Sequence, residues 1–244
     1  MGEGHPASGH QGAVKAIRVL GGGAVQGLVE AVRPSFEAST GLGIDGAFGA
    51  VGAMKDRLLG GDPADLLILS RALIDELARD RHVVGPSAKD IGAVQTAIAV
   101  RRGDLAVELG SAGALRAALR NADEVHFPDP GRATAGIHFA RIIKELGLQD
   151  EIAGRLKPAP NGAIAMRALA ASTARRPIGC TQATEILAAP GVVLVAPLPP
   201  GCDLATTYTC ALAARSTARP EATKLVAILT DERSREILGR LGFA

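Results

Sequence analysis

The sequence has no tryptophan, one tyrosine and five phenylalanines among 244 residues. It therefore lacks the aromatic platforms on which sugars, bases and flat rings stack, and a small polar ligand is expected instead. An excess of one charge is also missing. The 27 basic and 25 acidic residues are interspersed, leave a net charge of +2, and form no basic run of the nucleic-acid type. Neither nucleic acid nor a membrane surface is expected as a partner. The longest apolar stretches, such as Gly191–Leu198, are too short to span a bilayer, so no direct membrane insertion is expected.

Three cysteines, Cys180, Cys202 and Cys210, make neither a disulfide framework nor a metal-ligand spacing. Buried free thiols are the ordinary reading, and a Cys202–Cys210 bridge stays open as the alternative. The five histidines show no metal spacing and no Ser-His-Asp or Cys-His order. The glycine-rich turn Gly21–Gly27 lacks both the dinucleotide spacing and a P-loop lysine. No metal and no cofactor are expected. Residues 1–15 are rich in Gly, His and Ser without an apolar core, so they read as a flexible tail and not as a secretory leader. The expected compartment is periplasmic if a leader has been removed and cytoplasmic if this N-terminus is native.

What is present is a globular composition, with 47% hydrophobic residues, mostly Ala, Val, Leu and Ile, and 21% charged. The length suits one large or two modest α/β domains. Ala16–Leu20 reads as a strand broken by Gly21-Gly22-Gly23. Leu28, Val32 and Phe36 then fall at i, i+4 and i+8 of a helix over 24–36. The logic repeats with a strand over 43–48 and a helix over 53–59, then with the buried run Ala64–Leu69 and a helix over 71–79 that Ser70 can cap. Strand-to-helix turns of this kind point to a parallel sheet with ligands at the strand C-termini.

Further on, Gly92–Val100 reads as a strand crossing between lobes, Ser111 caps a helix over 112–119, and 125–127 is a strand before a helix over 135–146. Asn161 opens a helix over 162–171. Pro177–Gln182 is a strand leading into a helix over 183–188, and Val192–Pro197 is another strand. The stretch 206–213 returns the chain to the first lobe, which helices over 220–229 and 231–241 complete. The expected lobes are 16–91 plus 203–244 and 92–202.

The opening Gly21-Gly22-Gly23-Ala24, the run Gly60-Gly61-Asp62-Pro63-Ala64-Asp65-Leu66, the stretch Thr134-Ala135-Gly136-Ile137 and the ending Leu241-Gly242-Phe243 occur in one order along nearly the whole chain. In that order and spacing the sequence resembles the periplasmic molybdate-binding protein family of ABC transporters. The resemblance implies a class II periplasmic-binding-protein fold. In that fold two α/β lobes, each a mixed, mostly parallel sheet flanked by helices, close on a small anion and present it to an ABC permease.

The resemblance also implies where the ligand is held. The places where the family carries serines in the first and second turns and a tyrosine in the second lobe are occupied here by Ala24, by Ala50 and Val51, and by Gln182. Each missing donor to a buried oxyanion costs about 1 to 3 kcal/mol. Backbone amides at helix starts remain as donors, so Gly23, Thr134, Ala135 and Gly162 join the candidate contacts. The side chains of Ser70, Arg132, Asn161, Thr181 and Gln182 suit an organic carboxylate better than molybdate. The family resemblance extends to an enzymatic relative, aconitate isomerase, which implies the alternative of an allylic proton shift on a tricarboxylate. For that alternative His138 and Cys180 are the near-neutral titrating groups expected near the cleft.

Overall fold

The computed structural model describes residues 16–244. The tail expected over 1–15, with His5 and His10, lies outside the described residues. The strands are β1 (Ala16–Gly22), β2 (Gly43–Gly49), β3 (Leu66–Ser70), β4 (Lys89–Arg101), β5 (Glu124–Pro128), β6 (Leu156–Ala159), β7 (Pro177–Gln182), β8 (Val192–Pro197) and β9 (Ala205–Leu212). The helices are α1 (Gln26–Thr40), α2 (Val51–Leu59), α3 (Arg71–Arg79), α4 (Ala112–Asn121), α5 (Thr134–Glu145), α6 (Gly162–Ala171), α7 (Ala183–Leu187), α8 (Arg219–Leu229) and α9 (Glu232–Leu241).

The strands join in the order β2-β1-β3-β9-β4-β7-β5-β6, with β8 also on β4. Strand β4 is common to both halves of this sheet. Its residues Lys89–Gln95 pair with β9, whereas Thr96–Arg101 pair with β7 and β8. On the outer side of each half the pairs are parallel, β1 with β2 and β3, and β5 with β6 and β7. Strand-to-helix turns therefore leave each half from the C-terminal ends of its parallel strands.

Local sequence explains the framework. All of β3, LLILS, is buried, as a strand covered on both faces should be. Each of its Leu and Ile side chains contributes about 1.5 to 3 kcal/mol of burial. Helix α1 turns Leu28, Val29, Val32 and Phe36 inward and stops at Gly41, whose φ of 70° only glycine adopts at little cost. The larger core extends from β1, α1, β3 and β9 to Ala165 and Met166 of α6 and Ile186 of α7. A second core gathers Leu115, Phe127, Phe139, Ile178 and Cys180 beneath β5 and β7.

Several expectations need correction. Strand β6 was not read from sequence, because LKPA carries a proline, is only partly covered, and pairs along β5 at the sheet edge. The chain after β1 makes a short 3-10 turn over Gly23–Val25 before α1 begins. Ser70 stands at the N-cap of α3 but its hydroxyl makes no capping bond. The cysteines are free, and the suggested bridge is out of reach because Cys202 packs in the second core and Cys210 in the first.

The GDPADLLIL run has a structural role of its own. The buried Asp65 carboxylate accepts from the Arg18 backbone N–H at 2.9 Å, from Arg18 Nε at 3.1 Å and from Ser216 Oγ at 2.9 Å, joining β1 to the loop after β9. Burial alone would push this carboxyl up, but the bonds from Arg18 and Ser216 outweigh it and hold the group below the usual range. Asp65→Ala is expected to cost about 3 kcal/mol in urea unfolding at pH 7, because it strands the buried donors. With a depressed folded value, the stabilisation is complete above the unfolded value near about pH 4 and is lost as pH falls through the folded one. The gap between wild type and variant should narrow in acid; a gap constant from neutral to strongly acid pH would contradict this account.

Candidate functional site

Where the two halves face each other, five helical segments begin around one small chamber of about 20 Å³. Gly23 and Ala24 come from the 3-10 turn leading into α1, Ala50 and Val51 from the start of α2, and Thr134 and Ala135 from the start of α5. Asn161 and Gly162 come from the start of α6, and Gln182 from the N-cap of α7. Sequence dictates these starts: each follows a strand and opens with small or capping residues that let backbone approach backbone. Asn161 Oδ1 accepts from Ile164 N–H at 2.9 Å, which fixes the first turn of α6.

Gln182 is 2% exposed and donates from Nε2 to Thr206 Oγ1 at 3.2 Å, while its Oε1 has no partner. A buried amide with one end free is available to a ligand. Two wall residues carry chemistry that sequence reading missed. Glu185, from the first turn of α7, is buried and accepts from Thr181 Oγ1 at 2.6 Å. Burial raises this carboxyl above its ordinary value, against smaller lowering by the Thr181 hydroxyl and by backbone groups of Gln182 and Gly162. Tyr208, the only tyrosine, reaches the chamber from β9, not from the position of Gln182. Burial, and then the neighbouring Glu185, push its phenol up. No helical spacing pointed to the carboxyl, because Thr181 lies on strand β7 and Glu185 on helix α7.

Other nominated residues stand elsewhere. Thr181 lies behind the wall, holding Glu185. Together with Lys55 and Leu204, Ser70, Arg132 and His138 line an adjoining groove that shares Val51 and Thr134 with the chamber. The Arg132 side chain is exposed and lies 3.6 Å from Asp56, while its carbonyl accepts from Gly52 N–H at 2.9 Å. His138 approaches the Cys202 carbonyl with Nε2 at 2.7 Å and Arg141 Nη2 with Nδ1 at 3.1 Å. Arginine can only donate, so Nδ1 accepts and Nε2–H donates, and neither nitrogen is free to take a proton from a ligand. Cys180 is fully buried, with its thiol pushed well up by burial. It lies two residues down β7 from Gln182, about 7 Å from the cleft end of the strand. Neither His138 nor Cys180 is among the chamber's lining residues. Among the described residues no cluster of His, Cys, Asp and Glu could hold a metal, and no helix is long and apolar enough to cross a membrane.

Residues 17–244 match the bacterial extracellular solute-binding protein family, and the chain belongs to it. Its sequence is 28% identical to aconitate isomerase from a Pseudomonas species over 220 residues, which span 86% of this chain and 80% of that protein. Its fold is similar to the periplasmic molybdate-binding protein of Azotobacter vinelandii, with a TM-score of 0.79, 14% identity, and coverage of 93% of this chain and 98% of that one. It is also similar to the sulfate-binding protein of Mycobacterium tuberculosis, with a TM-score of 0.74, 19% identity, and coverage of 94% and 86%. The architecture is thus the two-lobed periplasmic-binding-protein fold, with mixed sheets flanked by helices.

Gln182→Ala is expected to weaken binding of a chamber ligand while moving the melting temperature of the ligand-free protein by no more than about 4 °C, the effect of roughly one lost hydrogen bond in a chain of this size. Thermal melts with and without ligand check it. A larger apo loss with affinity retained would make Gln182 part of the scaffold.

Proposed function

We propose that this protein is a receptor that closes on a small anion, an organic carboxylate in preference to molybdate, and presents its closed form to an ABC-type permease. On this reading the lobes are 16–91 plus 203–244 and 92–202. The protein works in the extracytoplasmic setting of its family. The carrying observation is the convergence of five helical starts on one chamber. Each start presents N–H groups without intrahelical partners, and the longer helices α2, α5 and α6 add a partial positive charge of up to roughly half an elementary unit at their N-termini. The anion class is further supported by what the molybdate- and sulfate-binding structures of the same fold hold.

Glu185 supports the choice of an organic acid. A fully deprotonated oxyanion brings only acceptors to a wall that already contains a carboxyl, whereas an organic acid also offers C–H and O–H groups there. Ala24 and Ala50 contribute no hydroxyl donors, which weakens the case for molybdate further. A second reading is an isomerase that shifts a proton across an allylic tricarboxylate. It is favoured by the similarity to aconitate isomerase over most of both chains, and by the buried carboxyl in the chamber wall.

The chamber of about 20 Å³ is large enough for a water and too small for a tricarboxylate, so its walls must part to admit one. A thermal-shift panel of molybdate, tungstate, sulfate, phosphate and di- and tricarboxylates tests the reading. A true ligand at a hundredfold excess over its Kd adds about 2.7 kcal/mol to stability. The carboxylates are expected to give the largest shifts; a strong response to molybdate with none to carboxylates would overturn the proposal.

A further inference from the structure

We infer that Glu185 is the catalytic base and acid of an allylic proton shift on an unsaturated tricarboxylate held in the chamber, an inference that rests on the isomerase reading above. The first support is position. Glu185 belongs to the chamber wall, and among the described residues no Lys, Arg or His forms an ion pair with it that would fix its charge. The Thr181 hydroxyl and backbone groups of Gln182 and Gly162 hold the carboxyl in place of a cation, so no fixed positive charge locks it in one protonation state.

The second support is the space kept for it. A Cβ at Gly23 would run into one carboxyl oxygen, and a Cβ at Gly162 would run into the other. Two helix starts, from α6 and from the turn before α1, are thus bare of side chains where the Glu185 head sits. The third support is access. Glu185, with Gly23 and Ala24, also lines a second groove of about 330 Å³, whose rim carries the exposed Glu30 of α1 and Arg167 of α6. Glu185 lines both chamber and groove, which offers a route for a proton taken from a ligand to exchange with water. Of the titratable and charged groups on neighbouring elements, Tyr208 of β9 shares the chamber wall with it, and Glu30 and Arg167 line the same groove.

The step balances without a co-reactant. The Glu185 carboxylate removes a proton from the methylene beside the double bond, and that C–H pair becomes the new C=C. The old C=C pair moves to the far carbon, which takes a proton from the Glu185 carboxylic acid. No electrons are lost or gained overall. Negative charge that develops on the ligand's carboxylates during the shift faces the N–H groups of the helix starts, which is where preorganised donors lower a barrier. Burial strengthens Glu185 as a base by raising its affinity for the proton, and the Thr181 hydroxyl keeps its head oriented.

The test follows cis- and trans-aconitate by proton NMR in heavy water, with melting temperatures recorded in parallel. Wild-type protein is expected to be stabilised by the acids, to interconvert them, and to place deuterium on the reacting carbons. Glu185→Gln should retain the thermal shift and lose turnover by about 100-fold or more, the usual size of a general acid–base contribution. Glu185→Asp keeps a carboxyl but withdraws it by one methylene, and should lose at least about tenfold while still binding, so the inference stays testable if the glutamine variant does not fold. Stabilisation of wild type by aconitate without exchange would overturn the role of Glu185 and leave the carboxylate receptor standing. Turnover retained in both variants would also overturn it. Absence of any stabilisation by aconitate together with absence of exchange would overturn the inference and its underlying reading together.

Discussion

Five helical segments start around the same chamber of about 20 Å³, and the N–H groups of a helix's first turn have no partners within their own helix. Much of the chamber follows from this constraint. Asn161 satisfies the N–H of Ile164, and the Arg132 carbonyl satisfies that of Gly52 across the gap between the halves. Backbone groups of Gln182 and Gly162 meet the Glu185 carboxyl, and the remaining first-turn N–H groups carry partial positive charge that favours an anion. The protein supplies one carboxyl, Glu185, between Gly23 and Gly162, and a ligand would supply the remainder.

The same arrangement ties site to scaffold. Strand β4 runs through both halves of the sheet, so the helix starts on its two sides face each other along one line. Helix α7, which carries Glu185, is anchored by Ile186 in the core that also holds β1 and α1. The Gly52–Arg132 backbone bond, worth about 1 kcal/mol, and the exposed Arg132–Asp56 pair link α2 to the segment before α5. Contacts of this size would let α2 and the segment before α5 part when a larger ligand enters.

The framework was legible because it is written in local patterns. Strand β7 and strand β8 have the bounds that the runs PIGCTQ and VVLVAP imply, and spacing alone puts Asn161 and Gln182 at helix starts, whereas α2 begins at Val51, two residues before the helix expected over 53–59. The carboxyl was not legible in that way. Glu185 is one acidic residue among 25 acidic residues, and nothing local marks it as buried; its burial comes from Gly23, more than 150 residues away in sequence, meeting Gly162. Tyr208 escaped for the same reason, since its strand pairs with β3 and β4 before its ring reaches the chamber. His138 and Cys180 drew notice by their ordinary titration range, but hydrogen bonds occupy one and the second core encloses the other.

The central claim is that the helix starts, and not the neighbouring groove under Ser70 and Arg132, hold an organic carboxylate. A crystal structure of the protein grown with trans-aconitate tests this most directly. The account predicts ligand carboxylates within hydrogen-bonding distance of backbone N–H groups at the starts of at least two helices from opposite sides of the chamber, with Gln182 and Glu185 in contact. Density for the acid in the groove beside Ser70, Arg132 and His138, with the chamber walls unmoved, would contradict it.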